Sequence, residues 1–109
     1  MADVDFKSIL EKLKDEAVHL ALTTFKDYKT EAKTDALKLL DELKVSLERW
    51  TLLFADGKLT KADFEFLVLG QKELVEMNAL KQAGLTLIKT DEFKNSLLKL
   101  ITTTIAGLI

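Results

Sequence analysis

The sequence predicts an all-α protein with a single domain spanning residues 1–109. Three observations point there: apolar residues recur at helical spacing through the first half, proline is absent from all 109 residues, and turn signals concentrate at Asp56-Gly57 and Gly84. One domain suits the length, since domains take ~100–200 residues. Hydrophobic residues make up 48% and charged residues 31%, a balance that fits amphipathic helices and not a disordered chain.

The first helix begins near Phe6. Its apolar positions are Phe6, Leu10, Leu13, Ala17, Leu20 and Thr24, alternating steps of four and three. A second stripe, Phe25, Tyr28, Ala32, Ala36, Leu39, Leu43, Leu47, Trp50 and Phe54, follows an eleven-residue repeat of about 3.67 residues per turn, close to an unstrained helix. The stripes meet around Ala21 to Phe25. Neither Pro nor Gly interrupts Asp3 to Ala55, so the expectation is one long helix, roughly 75–80 Å at 1.5 Å per residue, packed antiparallel against two shorter helices. Such a rod exceeds a compact monomer of this size, whose radius of gyration should be about 13 Å. Either it needs a partner chain, or it breaks near residues 28–34, where Thr34 and Asp35 offer an N-cap, and the chain closes into a compact four-helix up-down bundle.

Asp56-Gly57 then marks a turn, and Thr60 with Asp63 three residues on forms an N-terminal capping signal. The second helix is expected from Lys61 to Ala83. It carries a broad apolar surface of Ala62, Phe64, Phe66, Leu67, Val68, Leu69, Leu74, Val75, Met77 and Leu80, so burial on more than one side is expected. Gly70 inside it costs about 1 kcal/mol relative to Ala, which predicts close approach of another helix. Gly84 suits the position after the helix end, and Thr90-Asp91-Glu92 suits the start of a third helix that runs to about Gly107.

Several function classes are excluded by composition. The net charge of -2 offers no positive surplus for a nucleic-acid backbone, so nucleic acid is not expected as a partner. The absence of Cys removes thiolate metal sites and Cys nucleophiles. Ser8, Ser46 and Ser96 lie on expected helices without an elbow-like glycine pattern, and the four glycines are too scattered for a phosphate loop. Neither a catalytic site nor a cofactor is expected. Charges interrupt the first fourteen residues, unlike a secretory signal, and the reading is a cytoplasmic protein.

Asp56-Gly57-Lys58-Leu59-Thr60, followed by Ala62-Asp63-Phe64, resembles the second half of an EF-hand loop. Similar turns join helices in tellurite-resistance-type helical domains. With Gly57 at the sixth loop position, Leu52 and Phe54 occupy the first and third, where calcium requires oxygen ligands, so the segment reads as a structural turn. Glu16 and His19 have the Glu-x-x-His spacing of half a ferritin-like di-iron site, which a two-fold dimer would complete. The neighbouring apolar stripe leaves both beside the core, so a surface histidine is the simpler reading. Lys26, Lys29, Lys33 and Lys38 alternate with Asp27, Glu31 and Asp35 as a solvated helix face does.

What remains is apolar surface. The sequence therefore predicts a non-enzymatic structural or interaction protein, a self-associating helical bundle within a larger assembly, joined to copies of itself or to a helical partner. Phe25, Leu43, Leu47, Trp50, Phe54, Ile101, Ile105 and Leu108 are the candidate interface residues. Two alternatives accompany this reading. One is a peripheral membrane module using Leu97 to Ile109, a segment too short to span a bilayer and supplied only with Lys94 and Lys99 for anionic lipid. The other is the dimeric di-metal bundle built on Glu16 and His19.

Overall fold

Asp5 opens the first helix: its carboxylate accepts the Ser8 N–H at 3.4 Å and the Ser8 hydroxyl at 2.7 Å, which satisfies a first-turn donor. In this computed structural model, which describes residues 5–109, the helices are α1 (Phe6–Thr24), α2 (Lys29–Ala55), α3 (Lys61–Leu69), α4 (Asn78–Gln82) and α5 (Leu87–Leu108). A 3-10 turn, Gly70–Glu73, follows α3 directly. The described residues form no strand, as an all-α fold requires. The part of the expected first helix before Asp5 lies outside the described residues.

The long first helix is divided. Phe25 leaves the helix with extended backbone (φ -113°, ψ 136°), and helical structure resumes at Lys29. The break at residues 25–28 falls just ahead of the 28–34 window, and Tyr28 occupies the cap position without a side-chain cap, so neither Thr34 nor Asp35 serves there. The physical reason lies where the stripes meet. The single-residue step from Thr24 to Phe25 rotates the second stripe by about 100° on a continuous helix. No one face can bury both stripes, but folding the chain back buries each against the other.

Side-chain pairs set the directions of the legs. Phe25 packs edge-on against Phe93 at 4.9 Å and the Thr104 hydroxyl donates to Glu16, so α5 runs antiparallel to α1. Phe54 stacks on Phe64 at 5.3 Å while Asp35 reaches Ala79 and Leu80, so the leg from α3 to α4 runs antiparallel to α2. The result is a four-leg up-down bundle of 46 × 23 × 19 Å with a radius of gyration of 13.9 Å. It is the compact arrangement that a broken first helix permits. Its core is shared by all legs: Leu13 and Ala17 from α1, Leu39, Leu40 and Leu47 from α2, Phe64 and Val68 from α3, Leu80 from α4, and Phe93, Leu97, Leu98 and Ile105 from α5. Fully burying a side chain of this size contributes about 1.5–3 kcal/mol.

The third leg also departs from the expected continuous helix over Lys61–Ala83. Its start is as expected, with reciprocal hydrogen bonds between Thr60 and Asp63 at 3.0 and 3.2 Å, and Gly57 takes the positive φ of +76° that the turn requires. α3 ends at Leu69, and the chain regains an α-helix only at Asn78. A regular helix here would have one core-facing side, whereas the apolar residues surround it. The irregular path buries Val75 and Met77 and leaves Phe66 and Leu74 outside. Gly70 is not at a close helix contact, because a Cβ built on it meets nothing within 4 Å. The last helix starts one turn early: Thr86 caps it by accepting the Lys89 N–H at 3.3 Å, while Thr90 is buried inside, its hydroxyl donating to the Thr86 carbonyl at 2.7 Å.

Candidate interaction surface

Most of the apolar residues nominated by the sequence lie inside the chain's own core. Leu43, Leu47, Trp50, Ile101 and Ile105 are buried, and Phe25 and Phe54 pack partly buried against the same cluster. Leu108 alone among them is exposed. The stripes that would have joined a long rod to a partner join α1, α2 and α5 to one another instead.

Among the described residues, five of the ten large apolar side chains open to solvent lie on the third leg and the start of α5. Phe66 is 77% exposed, Leu74 73% and Ile88 73%, with Leu69 and Leu87 also exposed. Phe66 and Leu69 share one face of α3, three residues apart. On α2, Val45 and Leu52 are exposed as well, flanked by Glu48 and Arg49 along a shallow groove. The apolar residues of α5 that a lipid surface would need, Leu97, Leu98, Ile101 and Ile105, face the core, which leaves only Leu108 and Ile109 exposed at its end. No helix among the described residues is long and apolar enough to cross a membrane.

Glu16 and His19 line a groove of about 570 Å³ between α1 and α5, with Leu20, Leu100, Thr103 and Thr104 on its other walls. Glu16 is occupied by the Thr104 hydroxyl, and His19 is exposed. Among the described residues, no three His, Cys, Asp or Glu side chains come together as a metal site would require. At the Asp56-Gly57 turn, Leu52 and Phe54 belong to α2 and the Asp63 carboxylate accepts the Thr60 N–H, so the segment connects helices.

Two charged groups that sequence reasoning placed at the surface are buried. Asp35, read as part of a solvated face, is 1% exposed and accepts the Ala79 and Leu80 N–H groups at 3.0 and 2.8 Å. It supplies from α2 the cap that α4 lacks locally, since Met77 offers none. Lys94, read as a lipid-facing charge, is also buried and donates to the Lys72 carbonyl at 2.9 Å. A faint signal existed for Asp35: it sits between Ala32 and Ala36, on the edge of the apolar stripe. The remaining lysines of the α2 start, Lys29 and Lys33, are exposed as expected, and Lys38 pairs with Glu42 at 3.7 Å, an exposed i,i+4 contact of small energetic weight.

Comparison with known proteins yields no matching family model, no matching curated relative and no matching solved structure.

Proposed function

We propose that this protein is a non-enzymatic interaction protein that joins a second copy of itself through apolar side chains on its third leg and the start of α5, as one component of a larger assembly. The observation that carries this reading is the exposure of Phe66, Leu74 and Ile88, each above 70%, within one stretch of the chain, whereas Val45, 78% exposed, stands apart from it on α2. Covering such side chains recovers about 25 cal/mol for each Å² removed from water. A net charge of -2 sets up little repulsion between copies. Four of the five buried polar side chains favour a structural reading too: Asp35, Lys94, Thr90 and Thr102 each bond a backbone group, as scaffolding residues do, while the Thr51 hydroxyl has no partner among the described residues.

Sedimentation of the wild-type chain beside the double variant Phe66→Glu, Leu74→Glu tests this. Both side chains point outward, so the variant should keep its helical circular dichroism. The wild type should sediment as a dimer or larger species at micromolar concentration and the variant as a monomer. A monomeric wild type, or a variant that associates equally well, would overturn the reading.

A further inference from the structure

We infer that residues 70–85 form a strap that opens as a unit while α1, α2 and α5 stay packed. The segment holds little regular structure of its own: a four-residue 3-10 turn and the five-residue α4, with no helix over residues 74–77. Helices this short are marginal without tertiary support. Its fully buried apolar side chains are Val75, Met77 and Leu80, whereas α1 alone buries Phe6, Ile9, Leu10, Leu13, Ala17 and Ala21.

What fastens the segment is polar. Of the four side-chain hydrogen bonds that span twenty or more residues among those described, three end on its backbone: two from the Asp35 carboxylate and one from the Lys94 ammonium. Asp35 belongs to α2 and Lys94 to α5, so the strap lies across the flank between these helices. Neither charge has an oppositely charged side chain within 4.0 Å among the described residues. A buried ion without a counter-ion carries a desolvation penalty, and opening returns both groups to water. That penalty offsets part of what the three hydrogen bonds of the clasp contribute to holding the strap closed. At the far end, Gly84 adopts φ +98°, backbone that lets the chain turn from α4 into α5.

Opening would free Val75, Met77 and Leu80 and uncover the apolar flank between α2 and α5, leaving the α1–α2–α5 contacts intact. Local opening below the global unfolding free energy is ordinary in proteins, and its place here is set by the clasp. The inference does not depend on self-association, since a monomer would open in the same way.

Native-state amide hydrogen exchange in low urea tests it on the full chain. The amides of Ala79, Leu80, Lys81, Ala83 and Leu85 should be at least about tenfold less protected than those of Leu13, Leu47 and Ile101, with a weaker urea dependence, because less surface is exposed. In Asp35→Asn, which cannot accept both N–H groups equally, the strap amides should lose about tenfold more protection while Leu13 and Leu47 are unchanged. Equal protection and equal urea slopes across both sets in the wild type would overturn the strap. So would an Asp35→Asn variant in which all amides accelerate together. If that variant does not fold, the urea slopes of the wild type decide the matter alone.

Discussion

Along α1 and α2, burial follows the spacing of the sequence. Leu13, Ala17 and Ala21 share one apolar core with Ala36, Leu43 and Leu47 across a hairpin, and among the described residues the only long-range side-chain hydrogen bond from α1 is the Glu16 to Thr104 bond. Between α3 and α5 the chain does the opposite. Its apolar residues point in several directions, regular helix is interrupted for eight residues, and two buried charges hold the backbone in place. The contrast teaches that periodic apolar residues suffice to order a leg when they fall on one stripe. Where they do not, long-range hydrogen bonds take over and leave Phe66 and Leu74 outside.

The largest effect expected from breaking this contrast is in the hairpin. Leu47→Ala should destabilise the whole chain by about 2–5 kcal/mol, because the cavity lies where several legs meet. Chemical denaturation measures it, and the loss should appear equally in every probe of structure. A change below that range would mean the hairpin core relaxes more readily than its packing implies.

A smaller and opposite effect is expected at the start of the irregular segment. Gly70 has ordinary helical backbone, and a Cβ there meets open space. Gly70→Ala should therefore raise stability by about 0.4–1 kcal/mol, chiefly by restricting the unfolded chain. A lowered denaturation midpoint would show that the third leg packs more tightly at Gly70 than the structure has it.

The smallest effect belongs to the start of α1. The Ser8 hydroxyl, and after it the Ser8 N–H, hold the Asp5 carboxyl below its ordinary value. A depressed folded value stabilises the helix start above the unfolded value and loses that contribution as the pH falls through the folded one, here below about pH 4. An NMR titration should find Asp5 ionising at lower pH than in Ser8→Ala. Identical titration of the two proteins would remove Asp5 as the cap.

The fold was largely legible, and the reasons for the exceptions are physical. The stripes of α1 and α2, the Asp56-Gly57 turn, the Thr60 and Asp63 cap and the turn at Gly84 all rest on neighbours within a few residues, which sequence spacing records directly. The break at residues 25–28 was half written, as a phase slip between Thr24 and Phe25 with no helix-breaking residue to mark it. The Asp35 clasp spans 44 and 45 residues to Ala79 and Leu80 and has no local signature. Lys94 looked like any other surface lysine for the same reason. A stripe looks alike whether it meets another chain or its own, and five of the candidate interface residues, Leu43, Leu47, Trp50, Ile101 and Ile105, lie in the chain's own core.

Under the proposed function, the outward apolar residues of the third leg and the α5 start, and not the buried stripes, would meet a second copy. Amide NMR spectra recorded across a dilution series locate any such contact residue by residue. Concentration-dependent shifts should cluster at Phe66, Leu69, Leu74 and Ile88 and be absent along the exposed face of α1 at Lys7, Glu11 and Lys14. Spectra that do not change with concentration, or shifts confined to α1, would contradict the claim.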